Sequence, residues 1–265
     1  MEKVLANNKE LTFKTGEYNV NVSSKSLNVV NIKTEVNSNC YLLLDNLSNI
    51  SELNITISKG SYMKLAMILD KELNNIKINI DVLRQSSLEA YVAEFAKNQL
   101  DFNCVINLKE EGANCYFKLA SLSANQDNKN INVSVNHLVA KTYGKVDNYG
   151  VCKDNANITF LGTSYILHGS VKSKTQQNAK IMVFDEASNA IAKPILKIDE
   201  NDIEASHAAV VGKINDEHLF YLTSRGISES EAKELITFGY LKPILLGFKE
   251  EQIKEHISSL IEGRM

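Results

Sequence analysis

Alternation of apolar and polar residues, renewed at a nearly constant interval, constrains this chain more than any other feature. Tyr18, Val20 and Val22 alternate with polar neighbours, as do Leu53, Ile55 and Ile57. The pattern returns at Ile76, Ile78, Ile80 and Val82, at Ile131, Val133 and Val135, and at Ala156, Ile158 and Phe160. Successive side chains on a strand point to opposite faces, so period two with β-branched residues predicts strands. Polar breaks such as Ser58-Lys59-Gly60 and Lys153-Asp154-Asn155 separate them. Strand centres fall near Ile55, Ile78, Val105, Val133, Ile158, Met182 and Ala208, in steps of roughly 23 to 28 residues. No helical period lies between them. Such a step implies stacked units, each burying its face on the next. The expected fold is mainly β, a right-handed parallel β-helix over residues 18–222. A β-sandwich or jelly roll is the alternative.

After Ile227 the period changes. Ser228 and Glu231 form a capping-box pattern, which satisfies free N–H groups at a helix start. Ala232, Leu235, Ile236, Gly239 and Tyr240 then fall on one helical face, and Gly239 suits a helix end. Pro243 and Gly247 punctuate the chain, and Glu250 to Ile261 reads as a last helix with Ile253, Ile257, Leu260 and Ile261 on one stripe. The chain thus divides into a β-helix core, 1–227, and a short C-terminal helical segment, 228–265.

Composition narrows the function. With 265 residues, of which 44% are hydrophobic, the chain can bury a real core. A charged fraction of 23% and a net charge of −3 offer no field to draw in nucleic acid or an anionic membrane. The longest local apolar run, Leu65 to Leu69, falls far short of the roughly 18 residues of a membrane span. The first residues lack the apolar stretch of a secretory signal. Cys40, Cys104, Cys115 and Cys152 are too few for a disulfide framework, so a reducing, cytoplasmic setting is expected. Two prolines suit a structure whose central strands all use their N–H groups. The abundant asparagines fit left-handed corners between short strands, or a biased genome.

Chemistry is sparse. The chain has no phosphate-binding Gly-x-x-x-x-Gly-Lys-Ser/Thr, so no ATP site is expected. Gly-x-Ser-x-Gly, His-Glu-x-x-His and Cys-x-x-Cys are absent as well, and no catalytic residues are assigned. His137, His168, His218 and His256 read as structural or surface residues. Cys40 and Cys104 read as small core residues, and Cys152, near a turn, is the best candidate for an accessible thiol, although a structural role is favoured for it as well.

The stretch from Asp202 to Ile214, Asp-Ile-Glu-Ala-Ser-His-Ala-Ala-Val-Val-Gly-Lys-Ile, continues into Phe220-Tyr221-Leu222-Thr223-Ser224-Arg225-Gly226-Ile227. It resembles the SufB/SufD family of iron–sulfur cluster assembly proteins. The shared pattern is an acidic turn, a histidine-bearing strand, a Gly-Lys-Ile turn, a Leu-Phe-Tyr-Leu strand and Ser-Arg-Gly-Ile before a helical tail. Phe160-Leu161-Gly162, Thr175-Gln176-Gln177-Asn178, Lys193-Pro194-Ile195-Leu196-Lys197-Ile198 and Phe238-Gly239-Tyr240 resemble family segments too. The resemblance covers residues 137–245 well and the earlier rungs only in style.

The resemblance implies a non-enzymatic scaffold or partner subunit that pairs side by side through its C-terminal strands. Its partner would be a SufB-type subunit or a second copy of itself. The tail would hold a SufC-like ABC ATPase through Arg225, Gly226, Ile227, Leu235, Phe238, Gly239 and Tyr240. Deleting all residues after Ile227 would then abolish the ATPase contact and leave the β-helix folded. A transient iron–sulfur cluster or iron would form at the subunit interface, with His207 as candidate ligand and Glu204 as a weaker one. A strand would point these two side chains to opposite faces unless it bulged near Ser206. The chain has Ala179 where SufB-type scaffolds carry a cysteine, Ala208 where they carry an acid, and Ala205 where SufD members often carry a cysteine. It therefore stands closer to SufD, in a short form. The alternatives are a SufB-type scaffold in a minimal two-component system and a carbohydrate-active β-helix, which the lack of Trp disfavours.

Overall fold

In a computed structural model the chain forms a parallel β-helix with a helical tail. The structure describes every residue except 7–9, 23–27, 48–49 and 72–73. One sheet has nine strands: β1 (Glu2–Leu5), β3 (Gly16–Asn21), β5 (Asn39–Asn46), β7 (Tyr62–Leu69), β9 (Ser87–Glu94), β11 (Asn114–Ser123), β13 (Tyr143–Cys152), β15 (Ser173–Val183) and β17 (Ile203–Lys213). The other has eight: β2 (Glu10–Phe13), β4 (Val29–Thr34), β6 (Glu52–Ile57), β8 (Asn75–Val82), β10 (Gln99–Leu108), β12 (Asn128–His137), β14 (Asn157–Ile166) and β16 (Asn189–Ile198). Each strand pairs in parallel with the strand two further along. That is the β-helix expected, and the sandwich falls away. The rung lengthens along the chain: Asn39 pairs with Tyr62, 23 residues on, whereas Tyr143 pairs with Lys174, 31 residues on.

The two sheets differ in what covers them. Strands of the eight-stranded sheet bury one face inside the helix and leave the other to solvent, so β8 reads Ile76, Ile78, Ile80 and Val82 against polar neighbours. The middle strands of the nine-stranded sheet, β7, β9, β11 and β13, bury both faces in their second halves. In β7, Leu65 and Met67 point into the helix interior, and Ala66 and Ile68 pack under the tail. A strand buried on both sides reads as a continuous apolar run. The alternation at Ile55, Ile78, Val105, Val133 and Ile158 therefore marks only the eight-stranded sheet, while Met182 and Ala208 lie in the other.

One corner repeats as a column. Asn37, Gly60, Gln85, Gly112, Lys141 and Lys172 all have positive φ, between 52° and 77°. Each donates its N–H to a carbonyl in the next rung, as from Gly60 to Arg84 and from Lys141 to Val171. Asparagine takes Asn37 in this column, and Asn98 and Asn125 elsewhere. Many other asparagines form ladders on the open face of the eight-stranded sheet, as Asn79 donates to Asn54 at 2.8 Å and Asn54 to Asn31 at 3.0 Å.

The tail comprises α1 (Asp216–Thr223), α2 (Glu229–Leu241), a 3₁₀ turn (Lys242–Gly247) and α3 (Glu251–Glu262). The expected Leu-Phe-Tyr-Leu strand is a helix, and the last strand ends at Lys213. The Asn215 side chain accepts from Glu217 and His218 N–H, and Asp216 and Glu217 lie in the first turn, so the local cap and helix dipole favour α1. The capping box at Ser228 and Glu231 forms as read, but α2 runs through Gly239 instead of stopping there. Leu241, Ile244, Phe248, Ile257 and Ile261 pack on Leu43, Ile68, Tyr91, Phe95 and Leu122 to make a second core. Lys249 pairs with Glu17 at 2.6 Å, and Arg264 is buried against Asp127 and the Phe95 carbonyl. Removing everything after Ile227 would bare this apolar face, so the tail is part of the fold and not a free appendage.

Candidate functional site at the terminal rung and tail

β17 ends its sheet, and β16 ends the other. On β17, Val210 and Val211 are 56% and 46% exposed. Ile195 and Ile198 of β16, the terminal strand of the other sheet, and Phe220 and Tyr221 of α1 are also exposed. The row of N–H and C=O groups along the outer edge of β17 has no strand beside it among the described residues. Such an edge is a template for another strand.

The β15–β17 ladder fixes the two candidate ligands. It runs in unbroken register from Ser173 beside Ile203 to Val183 beside Lys213. His207 stands beside Gln177, which is buried, so its ring lies on the inward side at the open mouth of the helix. Glu204 stands beside Lys174 and pairs with it at 2.7 Å on the outward side. With no bulge near Ser206, the two side chains face opposite ways, and one metal cannot take both from a single chain. Behind His207 the interior turns polar: Thr175 and Gln177 both donate to Ser164 Oγ, at 2.8 and 2.6 Å. Gln177 Oε1 is buried without a partner among the described residues.

No group of three His, Cys, Asp or Glu side chains capable of holding a metal occurs among the described residues. His207 is one exposed nitrogen donor, and Ala179, Ala205 and Ala208 add none. The donor set fits a cluster only if a second subunit supplies the remaining ligands. Cys152, the best candidate for an accessible thiol although a structural role is favoured for it, is fully buried. Its Sγ lies 3.3 Å from the Ala156 carbonyl, and burial pushes the thiol up to about 11. The turn beside it folds under the next rung, which the local sequence does not reveal.

In the tail, the expected contact residues separate. Arg225 stacks on Tyr221 at 4.6 Å, Gly226 has φ +88°, and Ile227 is half-buried. Leu235 is exposed, and Phe238 and Gly239 line an open groove of about 910 Å³ with Pro243, Leu246 and Phe248. Glu251, Glu255 and Glu262 edge it. Tyr240 turns the other way and meets Tyr149 edge-on at 5.8 Å, so it holds the tail to the β-helix. Sequence reading missed Leu246 and Val210–Val211. Their signal is a pair of adjacent apolar residues where the local period calls for one.

The family model for the SUF system FeS cluster assembly SufBD core domain matches residues 20–240. The chain belongs to the SufB/SufD family. It is 33% identical to the iron–sulfur cluster assembly protein SufD of Bacillus subtilis over 60% of this chain and 36% of that protein. It is 27% identical to SufD of Escherichia coli over 43% of this chain and 27% of that one. The Bacillus subtilis SufB is 25% identical over 71% of this chain and 41% of that protein. The sequence is thus closer to SufD than to SufB, and it spans well under two thirds of these relatives' length. No helix among the described residues is long and apolar enough to cross a membrane.

Proposed function

We propose that this SufB/SufD-family chain is a non-catalytic subunit of a SUF-type assembly complex in the cytoplasm. It pairs through the β16–β17 end with a SufB-type subunit or a second copy of itself. It docks a SufC-like ATPase through the tail groove. A nascent iron–sulfur cluster, the cargo of the complex, takes His207 as one ligand and thiolates from the partner. The observation that carries this reading is the free β17 edge, which presents His207 with exposed Val210 and Val211. A long open edge of 11 residues with apolar side chains and one imidazole suits strand addition around a shared cargo.

The test is co-purification. With a SufB-type subunit and a SufC-like ATPase co-expressed, the chain should emerge in one complex. Val210→Glu with Val211→Glu should release the pairing subunit and keep the ATPase; Leu246→Asp should do the reverse. A wild-type chain that retains neither partner overturns the reading. Sedimentation of the isolated chain separates self-pairing from pairing with a different subunit.

A further inference from the structure

The outer face of the nine-stranded sheet carries a second polar feature, set apart from the terminal rung. Register puts Tyr91, Lys118, Asp147 and Asn178 in one column across β9, β11, β13 and β15. The flanking columns set Tyr116 beside Lys145 and Tyr149 beside Lys180. Side chains in these positions share the outward face, so aromatic rings and ammonium groups interleave.

Three ammonium groups gather on two rings. Lys118 Nζ lies 5.6 Å from the centre of Tyr116 and 5.8 Å from that of Tyr149. Lys145 lies 5.5 Å from Tyr116, and Lys180 lies 5.9 Å from Tyr149. Asp147 is the carboxylate among them, and it is already engaged. Its oxygens accept from Asn178 Nδ2 at 2.7 Å and Tyr116 Oη at 3.1 Å, and Lys145 Nζ lies 3.4 Å away. Lys118 and Lys180 form no ion pair or side-chain hydrogen bond among the described residues. An ammonium has three N–H donors and no acceptor, so the cluster has donors in excess and its acceptors spent. Ring faces attract cations but accept few of those N–H groups. Burial holds the Lys118 ammonium below its usual pKa, against the attraction of the Asp147 carboxylate and with a smaller repulsion from Lys145. The charge here is only partly compensated.

We propose that Lys118, Lys145 and Lys180 bind a phosphate-type oxyanion against the Tyr116 and Tyr149 rings. A tetrahedral dianion offers several acceptors to donors arriving from different strands, where a single carboxylate is saturated. The rings close the sides of the site, and Tyr240 of α2, edge-on to Tyr149, places the tail at its border. The anion is either free phosphate or the phosphate of a larger molecule. This inference stands apart from the proposed assembly role.

The chain has no Trp, so its emission comes from its ten tyrosines, and Tyr116→Phe with Tyr149→Phe removes the part that belongs to the site. The full-length protein is titrated with inorganic phosphate and, separately, with ADP at low ionic strength. Saturable change with either ligand is expected. Lys118→Gln and Lys180→Gln should each weaken it at least tenfold, and Lys33→Gln, on the other sheet, should not. Equal affinity for both ligands assigns a free oxyanion, and tighter ADP binding assigns a phosphorylated molecule; both support the site. Lys180 is exposed, so its variant should melt with the wild type. Absence of saturation by either ligand overturns the proposal. So does saturation indifferent to both lysine substitutions, or release of a co-expressed ATPase by Lys118→Gln in a protein that binds no phosphate.

Discussion

At the scale of residues, a few buried groups carry consequences that measurement can reach. Inside the β-helix, Lys129 and Glu94 are both fully buried and paired at 2.8 Å, with Ser121 Oγ donating to the same carboxylate. Removing one charge strands the other, so Lys129→Met alone should cost about 3–5 kcal/mol in denaturant unfolding. Replacing both with apolar residues of similar volume should recover most of that loss. His137 is buried, bonded to Thr142 at 2.7 Å, and burial holds its imidazole down to about 4 against an ordinary 6.5. Unfolding therefore takes up a proton between those values. Stability from this residue is intact above 6.5, falls as the pH drops toward 4, and levels below; the total is about 3 kcal/mol. His137→Gln should flatten that part of the pH–stability curve. His207 is different, being exposed at the mouth of the helix. His207→Ala should leave the melting temperature unchanged and keep ATPase binding, yet abolish cluster formation in the reconstituted complex. A large loss of stability instead would make His207 a packing residue.

At the scale of elements, the corner column and the tail show what was legible in the sequence. The strand alternation and the capping box at Ser228 are local signals and appear as read, whereas the even spacing of strand centres mixes two sheets, with Met182 and Ala208 in the second. The middle strands of the nine-stranded sheet stayed hidden because Leu42-Leu43-Leu44 and Leu65-Ala66-Met67 are buried on two faces and lose their alternation. Helix α1 was misread as a strand because Leu219, Phe220 and Tyr221 suit either; the Asn215 cap decided it. His207 was legible only through resemblance, since its exposure depends on where the stacking stops. The corner at Gly60, with φ +71°, admits other residues only with strain, and Asn37 already fills the space a Cβ would take. Gly60→Ala should destabilise the chain by about 1–2 kcal/mol, read as a shift in denaturation midpoint. On α3, Ile257→Asp should strip the tail from the sheet and expose the second core, raising dye binding to apolar surface. Leu246→Asp, on the groove, should leave the melting temperature alone.

At the scale of the molecule, stacked rungs contact mainly their neighbours, and stability is close to a sum over rungs and their interfaces. The tail ties the early and middle rungs together: it reaches Glu17, Asp70, Phe95, Asp127 and Lys153. The rungs of β16 and β17 lie outside most of these ties. Amide hydrogen exchange should be fastest in β16 and β17 and slowest in β9 to β12, and binding of the pairing subunit should slow the terminal rung selectively. Uniform protection along the whole stack would contradict this. The open end also has a consequence for the solitary chain. A surface that accepts one more strand does not ask whose strand it is. Without its partner, the β17 edge of one copy should therefore add to the β1 edge of the next and build end-to-end polymers, their growth rising with concentration and poisoned by a trace of the true partner acting as a chain terminator.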